Sequence, residues 1–229
     1  YNIIAHSEAP AEGVRRGQVE NIQEVVEAVQ PTIDEVRRKS GINVTDVFVG
    51  IAGQHIRCIE NRGDLQRENY DLEITVDEVK RLEESMYNIR MEPGEEILHV
   101  IPQSYNVDDS LGVSNPVGRL GQRLSANFHI IIGKTLSAQH TQRCIDRVGL
   151  NLSRLVLEPL ASARAVLTDD DKEVGVGMVD MGGGTTDLVV YYDKVVRHTA
   201  VIPFGGKVIT DDIKRGCCVL ARPAAQRKV

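Results

Sequence analysis

Three consecutive glycines stand in the middle of the stretch Asp180-Met181-Gly182-Gly183-Gly184-Thr185-Thr186-Asp187. An apolar, β-branched run at 174–179 precedes them and another at 188–192 follows, so the glycines are predicted to form a tight turn between two strands. Consecutive glycines let backbone N–H groups approach an anion closely, and the hydroxyls of Thr185 and Thr186 add donors for phosphate oxygens. The stretch therefore predicts a phosphate-binding hairpin.

An acidic residue stands at the turn end of each predicted strand. Asp180 is placed to hold a hydrated magnesium ion, which prefers oxygen ligands and retains several waters. Three glycines alone predict a plain flexible turn about equally well. Asp180 and Asp187 shift that balance, because two carboxylates beside a glycine turn repel each other unless a cation or donors compensate. The flanking strands and the glycine spacing exclude a P-loop and a dinucleotide-binding fingerprint.

Two other segments are candidates for the same site. Gly205 and Gly206 precede a predicted helix, whose first N–H groups and positive dipole end could face the phosphates, although such a pair is usually just a turn. Glu158 comes directly before Pro159 at another predicted helix start. It is either a favourable charge at that helix end or a carboxylate that positions an attacking water. The residues alone favour the first interpretation of Glu158.

Composition restricts the class of function. The chain has 229 residues, with 27 Lys and Arg against 33 Asp and Glu, a net charge of −6, and only 4% aromatic residues. Without a basic stripe or stacking platforms, nucleic acid is not expected as a partner. The four cysteines and six histidines show no disulfide framework, zinc spacing or shared catalytic spacing, which indicates a reducing, cytosolic compartment. No apolar run approaches the ~20 residues of a membrane-spanning helix, and no signal peptide is recognisable.

The remaining patterns predict alternating helices and strands. Residues 22–36 have helical periodicity, with Pro31 predicting a kink or two shorter helices, and 47–51 predict a buried strand. The charged composition after Gly63 suggests a seam between two units. The second unit is expected to contain a helix opened by a capping box at 75–78, strands over 97–107 and 123–132, and a further helix ending at Gly149, so that two helices pack on one small sheet. Residues 1–5 are typical of a strand interior, so the chain is expected to be a piece of something longer.

The quoted motifs resemble those of known families. The stretch 180–187 resembles the second phosphate motif of the actin, DnaK-type chaperone and sugar kinase superfamily, and 158–163 is similar to its first connecting helix. Other motifs resemble the FtsA family of bacterial cell-division proteins. One is Gly205-Gly206 followed by residues 209–213, and five more lie at 16–19, 49–56, 97–103, 115–118 and 121–124.

This resemblance implies an α/β fold. It is an incomplete actin-like (RNase H-like) ATPase core with an inserted small α/β subdomain of the strand-helix-strand-strand type, SHS2. Residues 1–70 would be part of the first lobe and 71–154 the inserted subdomain. Residues 155–172 would be the return helix of the first lobe, and 173–229 the start of the second lobe with the phosphate hairpin.

The resemblance also implies the residue roles. Asp180 would hold Mg through water, and Glu158 would position the attacking water, which raises Glu158 above the first interpretation. The ATP phosphates would be bound by Gly182, Gly183, Gly184, Thr185, Thr186, Gly205 and Gly206. The activity implied is at most that of a weak ATPase acting as a nucleotide switch.

The cellular role implied is a polymer at the cytoplasmic face of the inner membrane, at the division site. Such a protein tethers the tubulin-like FtsZ and recruits later division proteins, which residues 71–154 would contact together with neighbouring subunits. On this resemblance, the FtsZ-binding subdomain and the C-terminal membrane helix of the family are expected to lie outside this sequence. Two alternatives remain open: a PilM-type pilus-assembly adaptor, which is a binding module, and a metabolic kinase, which would need an acceptor pocket and a general base.

Overall fold

The computed structural model describes residues 2–218 and 220. The first elements are a two-stranded hairpin, β1 (Val14–Arg15) and β2 (Gln18–Val19), and helix α1 (Ile22–Ser40). The Asn21 side chain caps α1 by accepting hydrogen bonds from the N–H groups of Gln23 and Glu24. Helix α1 runs unbroken through Pro31, so of the two alternatives predicted from this proline, two shorter helices is wrong and a kink stays a prediction. Apolar packing on both sides of Pro31, through Val26, Val29 and Ile33, offsets the missing hydrogen bond.

A parallel pair of strands lies beside α1. It consists of β3 (Asp46–Ile51) and β8 (Asn151–Leu157), which are far apart in sequence. Helix α3 (Thr135–Arg147) leads into β8. Ile145, Val148 and Leu150 are buried against apolar residues of α1 and β3, so α1, α3 and this strand pair share one hydrophobic cluster.

A four-stranded antiparallel sheet is inserted between β3 and α3. Its spatial order is β4 (Arg57–Gln66), β7 (Arg123–Lys134), β5 (Glu95–Val107) and β6 (Ser110–Val113). Helix α2 (Val76–Ser85) covers one face, where Leu82 packs with fully buried Leu124 and Phe128. The predicted capping box is confirmed, since Thr75 and Glu78 each accept a hydrogen bond from the other's backbone N–H.

The small sheet differs from the expectation in two respects. It begins at Arg57, before the boundary expected between residues 70 and 71, because the charged composition after Gly63 belongs partly to β4, an edge strand with exposed charges. Helix α3 packs with α1 rather than on the four-stranded sheet. Ser125 and His129, on the second face of β7, opposite the face that carries Leu124 and Phe128, are buried.

The last group of elements follows β8. It comprises α4 (Glu158–Val166), α5 (Asp169–Val174), β9 (Val176–Met181), β10 (Thr186–Tyr192), β11 (Val195–Ile202) and α6 (Gly206–Gly216). The strands form an antiparallel sheet in the order β11-β10-β9. Ala163 of α4 packs against Val189 and Val196 of this sheet, which fixes α4 beside the strands.

The β11 strand also contacts the four-stranded sheet. The Thr199 hydroxyl lies 2.9 Å from His129 Nε2 and 2.8 Å from Cys58 Sγ. The side-chain amide of Gln103 donates to the carbonyl oxygen of Val196 at 3.1 Å. These contacts explain why part of the second face of β7 is buried.

Two outcomes concern the ends of the chain and the membrane. Residues 2–5 form no strand, and Ile3 and Ile4 are exposed, so that expectation is wrong for them; a strand requires a neighbour for its backbone hydrogen bonds. Tyr1, Val219 and residues 221–229 lie outside the described residues; Val219 and 221–229 belong to the last part of the proposed second lobe. Over the described part of the chain, no helix has both the length and the apolar character needed to span a bilayer.

Candidate functional site

The glycine turn joins β9 and β10 as predicted. The backbone N–H of Gly182 donates to the carbonyl oxygen of Thr185 at 2.9 Å, and this hydrogen bond closes a tight turn. A Cβ atom at Gly183 would meet nothing within 4 Å, whereas one at Gly184 would lie 3.3 Å from the Cα of Arg16. The middle of the turn is therefore open to a ligand while its end packs against the β1–β2 hairpin.

The start of α6 supports the turn from one side. The N–H groups of Gly206 and Lys207 donate to the carbonyl oxygens of Gly182 and Gly183, each at 2.9 Å. A side chain at Gly205 would overlap the carbonyl oxygen of Gly182. The structure thus brings Gly205 and Gly206 to the turn, with the Gly206 amide engaged by the turn itself; direct contact between these two glycines and phosphate stays a prediction.

The two threonines also have partners within the protein. Thr186 Oγ1 donates to the carbonyl oxygen of Phe204 at 2.9 Å, and Thr185 and Thr186 are both buried. A hydrogen bond from Thr185 opposes the rise in the pKa of Asp187 that burial causes. Both hydroxyls therefore stabilise the turn, and their predicted donation to phosphate is not tested by this arrangement.

Three carboxylates converge beside the turn. Asp180 and Asp187 are directly opposite each other on β9 and β10, and Glu158 is the first residue of α4. Burial raises the pKa of Glu158, and the charges of Asp187 and Asp180 raise it further. Burial is also the main cause of the raised pKa of Asp187, with the Asp180 charge adding to it. The site therefore carries unbalanced negative charge.

The carboxylates beside the turn fit a cation that is bound through its water molecules rather than directly. Asp187 Oδ1 is buried and has no hydrogen-bond partner, which marks it as an oxygen that water on a bound cation could satisfy. Within the described residues, no three Asp, Glu, His or Cys side chains are grouped closely enough to ligate a metal directly. Magnesium, which keeps several of its waters, suits such a site better than a metal that needs a full set of protein ligands.

Two residues near the site had no role in the sequence analysis. Ser162 Oγ donates to Asp180 Oδ2 at 2.6 Å, and the backbone of Arg16 contacts Gly184. Ser162 lies four residues after Glu158 on α4, and this spacing is the signal that could have placed both side chains on one helix face. Nothing in the sequence indicates the approach of Arg16, which depends on tertiary packing.

Comparisons with known proteins place the chain in a family. A family model described as the SHS2 domain inserted in FtsA matches residues 53–132, and one described as cell division protein FtsA matches residues 177–228. Cell division protein FtsA of Neisseria meningitidis serogroup B is 40% identical over 214 residues, covering 93% of this chain and 51% of the relative. The chain belongs to the FtsA family. FtsA of Escherichia coli K12 is 36% identical over 212 residues, with 93% and 50% covered, so the chain spans about half the length of the curated relatives it matches.

Solved structures agree on the fold. A chain of the PilM-PilN type IV pilus biogenesis complex has a TM-score of 0.63 at 14% identity, covering 96% of this chain and 60% of that one. The ethanolamine utilization protein EutJ from Carboxydothermus hydrogenoformans has a TM-score of 0.50 at 17% identity, covering 94% and 49%. The expected fold is confirmed: an actin-like ATPase core with the SHS2 insertion of the FtsA family.

Proposed function

We propose that this chain forms the phosphate-binding half of an FtsA-type cell-division protein that binds Mg-ATP. The observation that carries this proposal is the open turn at Gly183 next to the opposed pair Asp180 and Asp187. In a plain turn, repulsion between these two carboxylates would lower stability, with no bound cation to offset it. Membership of the FtsA family, whose members are cell-division proteins, supplies the cellular context.

Each residue has a defined part in this proposal. The Gly182 N–H closes the turn, so the amides proposed to bind phosphate are those of Gly183 and Gly184. Magnesium, when bound, neutralises the charge of the phosphates. Asp180 holds the ion through its waters, and Glu158, whose pKa is raised by burial and by its acidic neighbours, orients and deprotonates a water molecule for attack.

A slow nucleotide switch suits this arrangement better than rapid turnover. Glu158 is the single residue predicted to position the attacking water, and the threonine hydroxyls are engaged within the protein. We propose that the nucleotide state controls self-association into filaments at the cytoplasmic face of the inner membrane. The filament would tether FtsZ and recruit later division proteins to the division site.

We propose a domain division that keeps the order of the four expected segments, 1–70, 71–154, 155–172 and 173–229. It limits the inserted subdomain to the four-stranded sheet and α2, because α3 packs with α1 and β8 pairs with β3. The four-stranded sheet runs from Arg57 to Lys134, which supports an earlier start for the inserted subdomain. The SHS2 family match at residues 53–132 agrees with that start. This subdomain is proposed to contact later division proteins and neighbouring subunits. The pilus-adaptor alternative shares only the fold with this chain.

Titration calorimetry on the protein translated from the complete open reading frame tests the proposal. ATP binding should depend on magnesium, and both Asp180→Ala and Gly183→Val should weaken it at least about tenfold, because charge balance or anion access is lost. Gly177→Ala is the matched control, since its added Cβ also meets nothing within 4 Å but lies on β9 away from the turn. Unchanged affinity in both site variants would overturn the phosphate assignment.

A further inference from the structure

A side chain of the four-stranded sheet contacts the backbone next to Glu158. His99, on β5, accepts a hydrogen bond at Nε2 from the backbone N–H of Leu157, at 3.1 Å. Leu157 is the last residue of β8 and is fully buried, and Glu158 follows it directly as the first residue of α4. The inserted sheet therefore holds the chain one residue before the acid proposed to orient water.

The ring of His99 is suited to act as a constant acceptor. Burial, and to a lesser degree the positive charge of Arg154, lower the pKa of His99 to about 4. The ring is therefore neutral near pH 7, and acceptance at Nε2 requires the proton to be on Nδ1. Without this acceptor the buried N–H of Leu157 would lose its partner, and the start of α4 would be free to shift toward another one.

Helix α4 continues the connection to the metal-binding acid. Ile101, two residues after His99 on the same strand, packs in the cluster that contains Leu160 and Ala163 of α4. The same helix carries Ser162, whose hydroxyl donates to Asp180. Helix α4 thus begins directly after the residue that β5 holds and contacts β9 through its middle, with Glu158 at its first position.

We propose that His99 is a positioning residue for Glu158 and that, through it, the inserted sheet controls hydrolysis of the bound nucleotide. This inference rests on the proposed function of the site. A partner or a neighbouring subunit that shifts β5 would displace the Leu157 backbone and with it the Glu158 carboxylate. The inserted subdomain would then regulate turnover while leaving nucleotide binding nearly unchanged.

Two substitutions at one position separate positioning from general structure. In His99→Phe the ring volume is nearly kept but the acceptor is lost, whereas in His99→Gln the amide oxygen can still accept from Leu157. Single-turnover and steady-state ATP hydrolysis should be measured on the protein from the complete reading frame. We expect His99→Phe to reduce kcat about tenfold with KM changed less than about twofold, and His99→Gln to recover most of the loss, since misplacement of a catalytic group lowers turnover rather than binding.

Thr199→Val is the matched control. It removes a different hydrogen-bonded contact between the four-stranded sheet and the core, to His129 and Cys58, without touching Leu157. It should leave kcat close to that of the wild type, and urea unfolding of each variant gives its folded fraction. An unchanged kcat in His99→Phe, equal losses in His99→Phe and Thr199→Val, or no recovery in His99→Gln would overturn the inference.

The same measurements distinguish this inference from the proposed function. Failure of the wild type to bind Mg-ATP by calorimetry would contradict the proposed function itself. Normal binding in the wild type and all variants, with identical hydrolysis or with none detectable in a single turnover, would overturn only the role of His99.

Discussion

Ser162 and Asp180 are joined by a hydrogen bond of 2.6 Å from the serine hydroxyl to the carboxylate. A bond this short to a charged acceptor is among the stronger hydrogen bonds in proteins. It fixes the Asp180 carboxylate relative to α4, the helix that begins with Glu158. The acid proposed to hold magnesium and the acid proposed to orient water are thus positioned by one helix.

Loss of this bond should weaken magnesium-dependent binding. Ser162→Ala leaves the Asp180 carboxylate without its orienting donor, and removing such an outer partner commonly costs about tenfold in metal affinity. Calorimetry with ATP at several magnesium concentrations measures the effect. Ser153→Ala, at an exposed position on β8, is the control. An equal loss of ATP affinity with and without magnesium would contradict this role for Ser162.

Gly205→Ala should destabilise the turn. The added Cβ would overlap the carbonyl oxygen of Gly182 and lie 2.8 Å from that of Thr185, and backbone atoms in a closed turn cannot rotate away. We expect the free energy of unfolding to fall by about 2 kcal/mol, a typical cost of overpacking. ATP affinity should fall as well. Urea unfolding that gives the same midpoint for this variant and for Gly177→Ala would show that the contact at Gly205 is unimportant.

The ion pair of Arg67 and Glu78 predicts a pH effect on stability. Arg67 is buried, and its Nε donates to Glu78 Oε1 at 2.8 Å. This hydrogen bond is the main reason why the pKa of Glu78 falls from 4.5 to about 2. A carboxyl group with a lowered pKa in the folded state stabilises the fold fully above its ordinary pKa. The contribution should therefore be lost as pH falls from about 4.5 toward 2.

Glu78→Gln measures this contribution. At pH 7 we expect the variant to be less stable by about 2 kcal/mol, as for other hydrogen bonds to charged groups. The difference from the wild type should shrink as the urea unfolding series is lowered from pH 5 to pH 3. Glu84→Gln, at an exposed position of the same helix, should show little difference at any pH. A difference for Glu78→Gln that stays constant with pH would contradict the assignment.

Local patterns explain what the sequence could predict. The strand-turn-strand around Gly183 and the capping box at Thr75 depend on residues close together in the chain, and both are present. The family resemblance added the fold and brought Glu158 forward as a candidate. The convergence of Glu158 with Asp187 depends on packing between α4 and β10, which no local pattern encodes.

The wrong predictions concern the edge strand β4 and the element against which helix α3 packs. The exposed charges of β4 are the same residue types that mark a linker, so the beginning of the sheet was predicted too late. Helix α3 has an apolar face, but its periodicity cannot say whether that face meets the four-stranded sheet or α1. The hydrogen bond between His99 and Leu157 joins positions 58 residues apart and was equally invisible.

A crystal structure of the protein from the complete reading frame, with magnesium and a non-hydrolysable ATP analogue, tests the central claim most directly. We expect the terminal phosphates to lie against the backbone N–H groups of Gly183 and Gly184, with magnesium linked through water to Asp180. A nucleotide bound elsewhere, with the 182–184 turn facing solvent away from it, would contradict the account.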